Sequence, residues 1–167
     1  MTREFSILGS FRPEAGVYES YLSGELTLTN AKQQRCFVFP APSGADLGGF
    51  VRFTIPLGCG YGSSPIIVLK GYIDGTPANT IATTVGQIGI DISENLDQAY
   101  ETEDLANNST WTGYVDKDAY EHANPITPAS AYAEGDEIFA YVAQDNSVDT
   151  RTWDFLVTDI MFRFTEA

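Results

Sequence analysis

One histidine, His122, and two cysteines, Cys36 and Cys59, are all the imidazole and thiol that this chain of 167 residues carries. A Ser–His triad needs an imidazole beside a nucleophile, and His122 sits in the loop-like stretch Tyr120-Glu121-His122-Ala123-Asn124-Pro125 with no Gly-x-Ser-x-Gly elbow in company. Three Cys and His residues scattered along the chain cannot supply the four ligands of a tetrahedral zinc site. No Cys-x-x-Cys occurs, and Cys36 lies in the apolar run 36–39 where it acts as a small hydrophobe, so no disulfide framework is indicated. Positive charge is scarce too: 9 basic against 23 acidic residues give a net charge of −14. Such a field repels phosphate backbones and anionic headgroups, which excludes nucleic acid and membrane surfaces as partners. No apolar run approaches the ~18 residues that span a bilayer, and Met1-Thr2-Arg3-Glu4-Phe5 does not read as a signal peptide. Synthesis in the cytoplasm is the expectation. The Gly-rich stretch 58–62 lacks a following Lys-Ser/Thr, and the acidic stretches 94–104 and 145–149 lack the central Gly and closing Glu of a calcium loop. No metal, cofactor or enzymatic activity is assigned.

What the chain does have is aromatic and β-branched residues in short runs of period two, bounded by Gly, Pro, Asn and Asp. Residues 50–55 set Val51, Phe53 and Ile55 on one face; residues 66–69 are continuously apolar; in 87–92 the isoleucines face one way. The run 136–142 is apolar on both faces, with Ile138, Ala140 and Val142 opposing Phe139 and Tyr141. In the closing run, Leu156, Ile160, Phe162 and Phe164 oppose Val157, Asp159, Met161 and Arg163. The Leu96/Tyr100 spacing suits one short helix within 94–106, and 107–134 reads as long connections. The expected fold is all-β, a jelly roll or antiparallel β-sandwich of one domain with long loops. Val51, Phe53, Ile55, Val68, Ile88, Ile90, Ile160 and Phe162 are expected to share its core.

Residues 133–150 and 154–162, with the upstream run 49–56, resemble a pattern of tailed-bacteriophage virion proteins: a Gly-Asp turn into a strand, an Asp-rich loop, then a closing strand. The resemblance is at the level of fold and carries no catalytic residues. It implies a capsid decoration or cement protein, a head fibre or a tail-fibre tip, commonly a homotrimer, on the capsid exterior of a virion and bound to the major capsid protein or another virion protein.

Two groups of candidate residues follow. Phe5, Ile7, Leu8 and Phe11 crowd the first eleven positions of a segment, 1–24, whose charge is neutral up to Arg35 while the rest of the chain holds the whole −14. That segment reads as an attachment arm ahead of a sandwich at 25–167, the alternative being a strand over 4–8 in the protein's own sheet. Trp111, Tyr114, Tyr120, Tyr132 and Trp153 lie in or beside expected loops. They could stack on a glycan, as in a receptor- or carbohydrate-binding tip, or plug the ends of the sandwich.

Overall fold

A computed structural model describes residues 1–25, 31–56, 65–90, 99–100, 102–128 and 131–166. The Gly-rich stretch 58–62 and the acids Glu94, Asp97 and Glu101 lie outside these. Eleven strands are described: β1 (Thr2–Ser6), β2 (Arg12–Pro13), β3 (Tyr18–Glu25), β4 (Ala31–Phe39), β5 (Leu47–Thr54), β6 (Ile66–Asp74), β7 (Ile81–Ile90), β8 (Thr102–Asn108), β9 (Ala119–Pro125), β10 (Glu137–Gln144) and β11 (Asp154–Thr165). They form two antiparallel sheets. One runs β3-β4-β11-β6-β9, with β1 sharing the edge of β11 that β4 also uses; the other runs β2-β5-β10-β7-β8.

Alternation decides what each sheet turns inward. In β10 the inward residues are Ile138, Ala140 and Val142, all at most 1% exposed, and they meet Val51, Val85, Phe37, Phe39, Leu69 and Phe155 in one core cluster. Val51, Ile55, Ile160 and Phe162 join that core and Phe53 packs against it, as expected. Two other expected positions are buried on the opposite face. In β6 the inward residues are Ile67 and Leu69, which leaves Val68 outward, in register with Met161. In β7, Val85 and Gln87 point in and Ile88 points out beside Phe139. A run apolar on both faces does not announce its register, so these two were misplaced by one residue. Ile90 lies outside the described side chains.

A bulge corrects the reading of the last strand. Register along β6 shifts between Val157 and Asp159, so Phe155 and Val157 face inward before it and Ile160, Phe162 and Phe164 after it. Leu156 is turned outward, where it packs with Cys36, Val38 and Tyr72. The extra residue also divides the edge: β4 pairs residues 155–157 and β1 pairs residues 161–165. The expected helix is likewise replaced within the described residues, because 102–108 is strand β8, and the supposed connections of 107–134 contain β9.

The N-terminal segment is part of the sandwich. β1 pairs with β11 from Thr2↔Thr165 to Ser6↔Met161. Ile7 and Phe11 are each 3% exposed in the core, with Phe5 and Leu8 packed against it. Phe5 lies 5.8 Å from Phe53 and 5.6 Å from Phe162, ring to ring. Of the two readings of this segment, a strand in the protein's own sheet is the one the structure shows, and it is that sheet which covers these apolar residues. Glu4 fastens the strand, accepting from Lys70 Nζ at 2.7 Å and from Arg163 Nη2 at 2.8 Å. Those two partners hold its carboxyl below the usual range, Lys70 first.

Candidate ligand-binding face

Residues of the five-stranded sheet that point away from the core form three cross-strand rows. The middle row starts at Arg12 on β2, passes Phe50 on β5 and Tyr141 on the central strand β10, and reaches Gly86 on β7 and Glu103 on β8. Phe50 is 46% exposed, and its ring centroid lies 5.1 Å from that of Tyr141. Gly86 lets a third ring settle on the sheet: a Cβ there would stand 2.9 Å from Tyr100 Cδ2 and 3.0 Å from Cγ, closer than van der Waals contact allows. Three aromatic side chains therefore follow one another across the strands, Phe50, Tyr141 and Tyr100.

The flanking rows border this line. On one side Phe139 lies between Arg52 and Ile88 in register, with the Arg52 guanidinium 4.8 Å above its ring and hydrogen-bonded through Nε to Glu137 at 2.6 Å. On the other stand Gly48, Ala143, Thr84 and Leu105, the last 48% exposed. Gly48 is required by a close approach of strands, since a Cβ would meet the Val142 carbonyl oxygen at 2.2 Å.

Apart from Arg12 at the β2 end, polar groups at the rim are acidic. Tyr141 donates its hydroxyl to Glu14 Oε2 at 2.8 Å. Burial, the bond to Glu14 and the charges of Glu14 and Asp46 push the Tyr141 hydroxyl far above its ordinary value, and burial with Glu14 and Glu103 pushes Tyr100 the same way. Both phenols are neutral donors at any physiological pH. The face thus combines flat apolar rings with hydroxyl donors and carboxylate acceptors at their edges.

Of the two readings of the five loop aromatics, stacking on a ligand or plugging the sandwich, most of them follow the second. Trp153 is 2%, Tyr132 4% and Tyr120 6% exposed. Trp153 and Trp111 pack edge to face at 5.1 Å, and Trp111 meets Tyr120 at 5.2 Å. Both indoles donate to backbone carbonyls of one loop, Trp111 to Asn79 at 2.5 Å and Trp153 to Ala78 at 3.3 Å. Trp111 is partly buried, and Tyr114, 38% exposed, is the outer edge of this plug. The plug forms because loop residues at a sandwich end must cover the core and still satisfy their N–H groups.

His122 is no surface group either. It is 2% exposed on the inward face of β9, its Nδ1 3.3 Å from the Tyr120 hydroxyl, and burial pushes its pKa down to about 4. Arg151 and Asp149 are also buried. Arg151 Nη2 donates to the Pro40 carbonyl at 2.9 Å and to Gln144, while its Nε lies 3.3 Å from Asp149 Oδ2.

No protein-family model matches the chain, and no curated protein sequence matches it. Solved structures match by fold. An arabinose-bound GH51 α-L-arabinofuranosidase superposes with a TM-score of 0.52 at 10% identity, covering 93% of this chain and 23% of that one. The chain is a jelly-roll sandwich. A CBM22-2 xylan-binding domain from Paenibacillus barcinonensis gives a TM-score of 0.49 at 16% identity over 98% of this chain and 99% of that one. A family 11 carbohydrate-binding module from Clostridium thermocellum gives 0.48 at 10% identity over 100% and 95%. At such identities the likeness is one of fold. The jelly-roll class stands; the attribution to virion proteins finds no counterpart among these structures.

Proposed function

We propose that this chain is a carbohydrate-binding module whose binding surface is the outward face of the five-stranded sheet, centred on Tyr141. The observation that carries the reading is the cross-strand row Phe50–Tyr141–Tyr100, three rings laid on the sheet with hydroxyl and carboxylate groups at their edges. A sugar ring has an apolar face of C–H groups and a polar perimeter. The first packs on an aromatic ring; the second finds a donor at Tyr100 and acceptors at the Tyr141 hydroxyl oxygen, Glu14 and Glu103. Because the row runs across the strands, a glycan chain would lie across the strands as well. The acidic rim and a net charge of −14 favour neutral glycans over uronate-rich ones.

Rigid platforms need little reorganisation on binding, and Tyr141 stands on the central strand of its sheet, which suits this role. Affinity electrophoresis through a panel of soluble neutral polysaccharides, xylans and β-glucans included, tests the proposal. At least one polymer is expected to retard the wild type, and Phe50→Ala to weaken that retention tenfold or more, about 1.4 kcal/mol. Phe50 is half exposed, so the variant should fold normally. Absence of retention by every polymer, or retention unaffected by Phe50→Ala and Tyr141→Ala, would refute it.

A further inference from the structure

A cavity opens at the β2 edge of the sandwich, where β2 of one sheet faces β3 and β4 of the other. It holds about 230 Å³. Its floor is apolar: Phe11 and Phe37, both buried, pack edge to face at 4.8 Å, and Leu8 adds a partly buried side. Its rim is charged, with Arg12, Arg35 and Glu19.

The charges at this rim are not balanced. Eight of the nine cationic side chains are described, and seven of them pair with a carboxylate: Arg3 with Glu166, Arg35 with Glu19, Arg52 with Glu137, Lys70 and Arg163 with Glu4, Lys117 with Asp74, and Arg151 with Asp149. Arg12 has none. Its one hydrogen bond, from Nη1 to the carbonyl of its neighbour Phe11 at 3.0 Å, leaves the remaining guanidinium donors open. Acids outnumber bases by more than two to one, so a guanidinium without a carboxylate is the exception in this chain. Arg35 and Glu19 cancel, and the mouth of the cavity keeps one positive charge.

We infer that this cavity is a second binding site, bordering the aromatic face where Arg12 pairs with Phe50, for a small carboxylate with an apolar ring or short chain. The tail would sit on Phe11 and Phe37 and the carboxylate would pair with Arg12, whose planar fork matches two carboxylate oxygens. The size suits it: a cavity of about 150 Å³ holds a benzene ring, so 230 Å³ has room for a ring and its carboxylate. A purely apolar guest would leave the guanidinium unused, and a bare inorganic anion would leave the phenyl floor unfilled.

The probes are benzoate and benzyl alcohol, alike in size and different in charge, titrated into the full chain and followed by amide NMR. Benzoate is expected to shift the resonances of residues 8–12 and 35–37 saturably, and to bind at least tenfold more tightly than benzyl alcohol. Arg12→Gln should lower benzoate to the level of the alcohol, while Arg12→Lys should keep the preference for the acid. Arg12 is exposed, so neither change should disturb folding. Shifts absent from those residues, equal affinity for the two probes, wild-type benzoate affinity in Arg12→Gln, or loss of the preference in Arg12→Lys would each overturn the site.

Discussion

Replacing His122 should remove the pH dependence that its buried imidazole supplies. The imidazole is enclosed on the inward face of β9, and burial, with the nearby charge of Arg151, lowers its pKa from the ordinary 6.5 to about 4. The folded state therefore holds it neutral while the unfolded chain takes up a proton below pH 6.5. Stability from this group is full above pH 6.5, falls as the pH drops, and levels out below about 4, where the folded form protonates too. The whole gap, at 1.36 kcal/mol per pH unit, amounts to about 3 kcal/mol, and about 2 kcal/mol of it is lost by pH 5. That is a large part of the 5–15 kcal/mol typical of a small domain. His122 is the sole histidine, and because burial also raises the Asp149 carboxyl, whose effect on stability runs the other way as the pH falls, the difference between wild type and His122→Gln is what isolates the imidazole. Urea denaturation at pH 7.5, 6.5, 5.5 and 5.0 should show the wild type losing about 2 kcal/mol across the series and His122→Gln staying nearly level, whatever its absolute stability. Equal slopes for the two proteins would refute the claim that a buried neutral imidazole sets this window.

Arg151→Ala should cost about 3–5 kcal/mol by urea denaturation, because it leaves Asp149, Gln144 and the Pro40 carbonyl buried without their partner. Gly71→Ala should destabilise by about 1–3 kcal/mol or more, since a Cβ would meet the Leu156 carbonyl oxygen at 2.1 Å and Val157 Cα at 2.9 Å beside the bulge. Trp153→Ala should cost about 3–5 kcal/mol in thermal or urea unfolding, as the fully buried centre of the aromatic plug, while Tyr114→Ala at its exposed edge should cost far less.

How much of this was legible depended on period and on register. The all-β class was readable from short alternating runs, and the run 136–142, apolar on both faces, already held the key: Phe139 and Tyr141 belong to the outer surface. Phe50 could be seen opposing Val51 in the same way. The row itself could not be seen, because it is assembled by pairing β5, β10 and β7, strands separated by long stretches of chain, and by Tyr100 lying on Gly86. Tyr100 was instead counted toward a helix through its spacing from Leu96. Loop aromatics stayed open between stacking and plugging for a related reason. Sequence places Trp111, Tyr120 and Trp153 near turns, but only packing shows that their rings close one end of the core and that both indole N–H groups are spent on a single loop. Nor does a sequence reveal a one-residue bulge, which is why Leu156 was assigned to the inner face.

Carbohydrate recognition by the face around Tyr141 is most directly tested by mapping a bound oligosaccharide. Amide NMR of the full chain, titrated with a short oligomer of whichever polysaccharide retards it, should place the largest shifts at Phe50, Gly86, Tyr100 and Tyr141, and Phe50→Ala should weaken the same titration at least tenfold. Shifts concentrated instead at Trp111 and Tyr114, or no saturable shift with any such oligomer, would contradict the account.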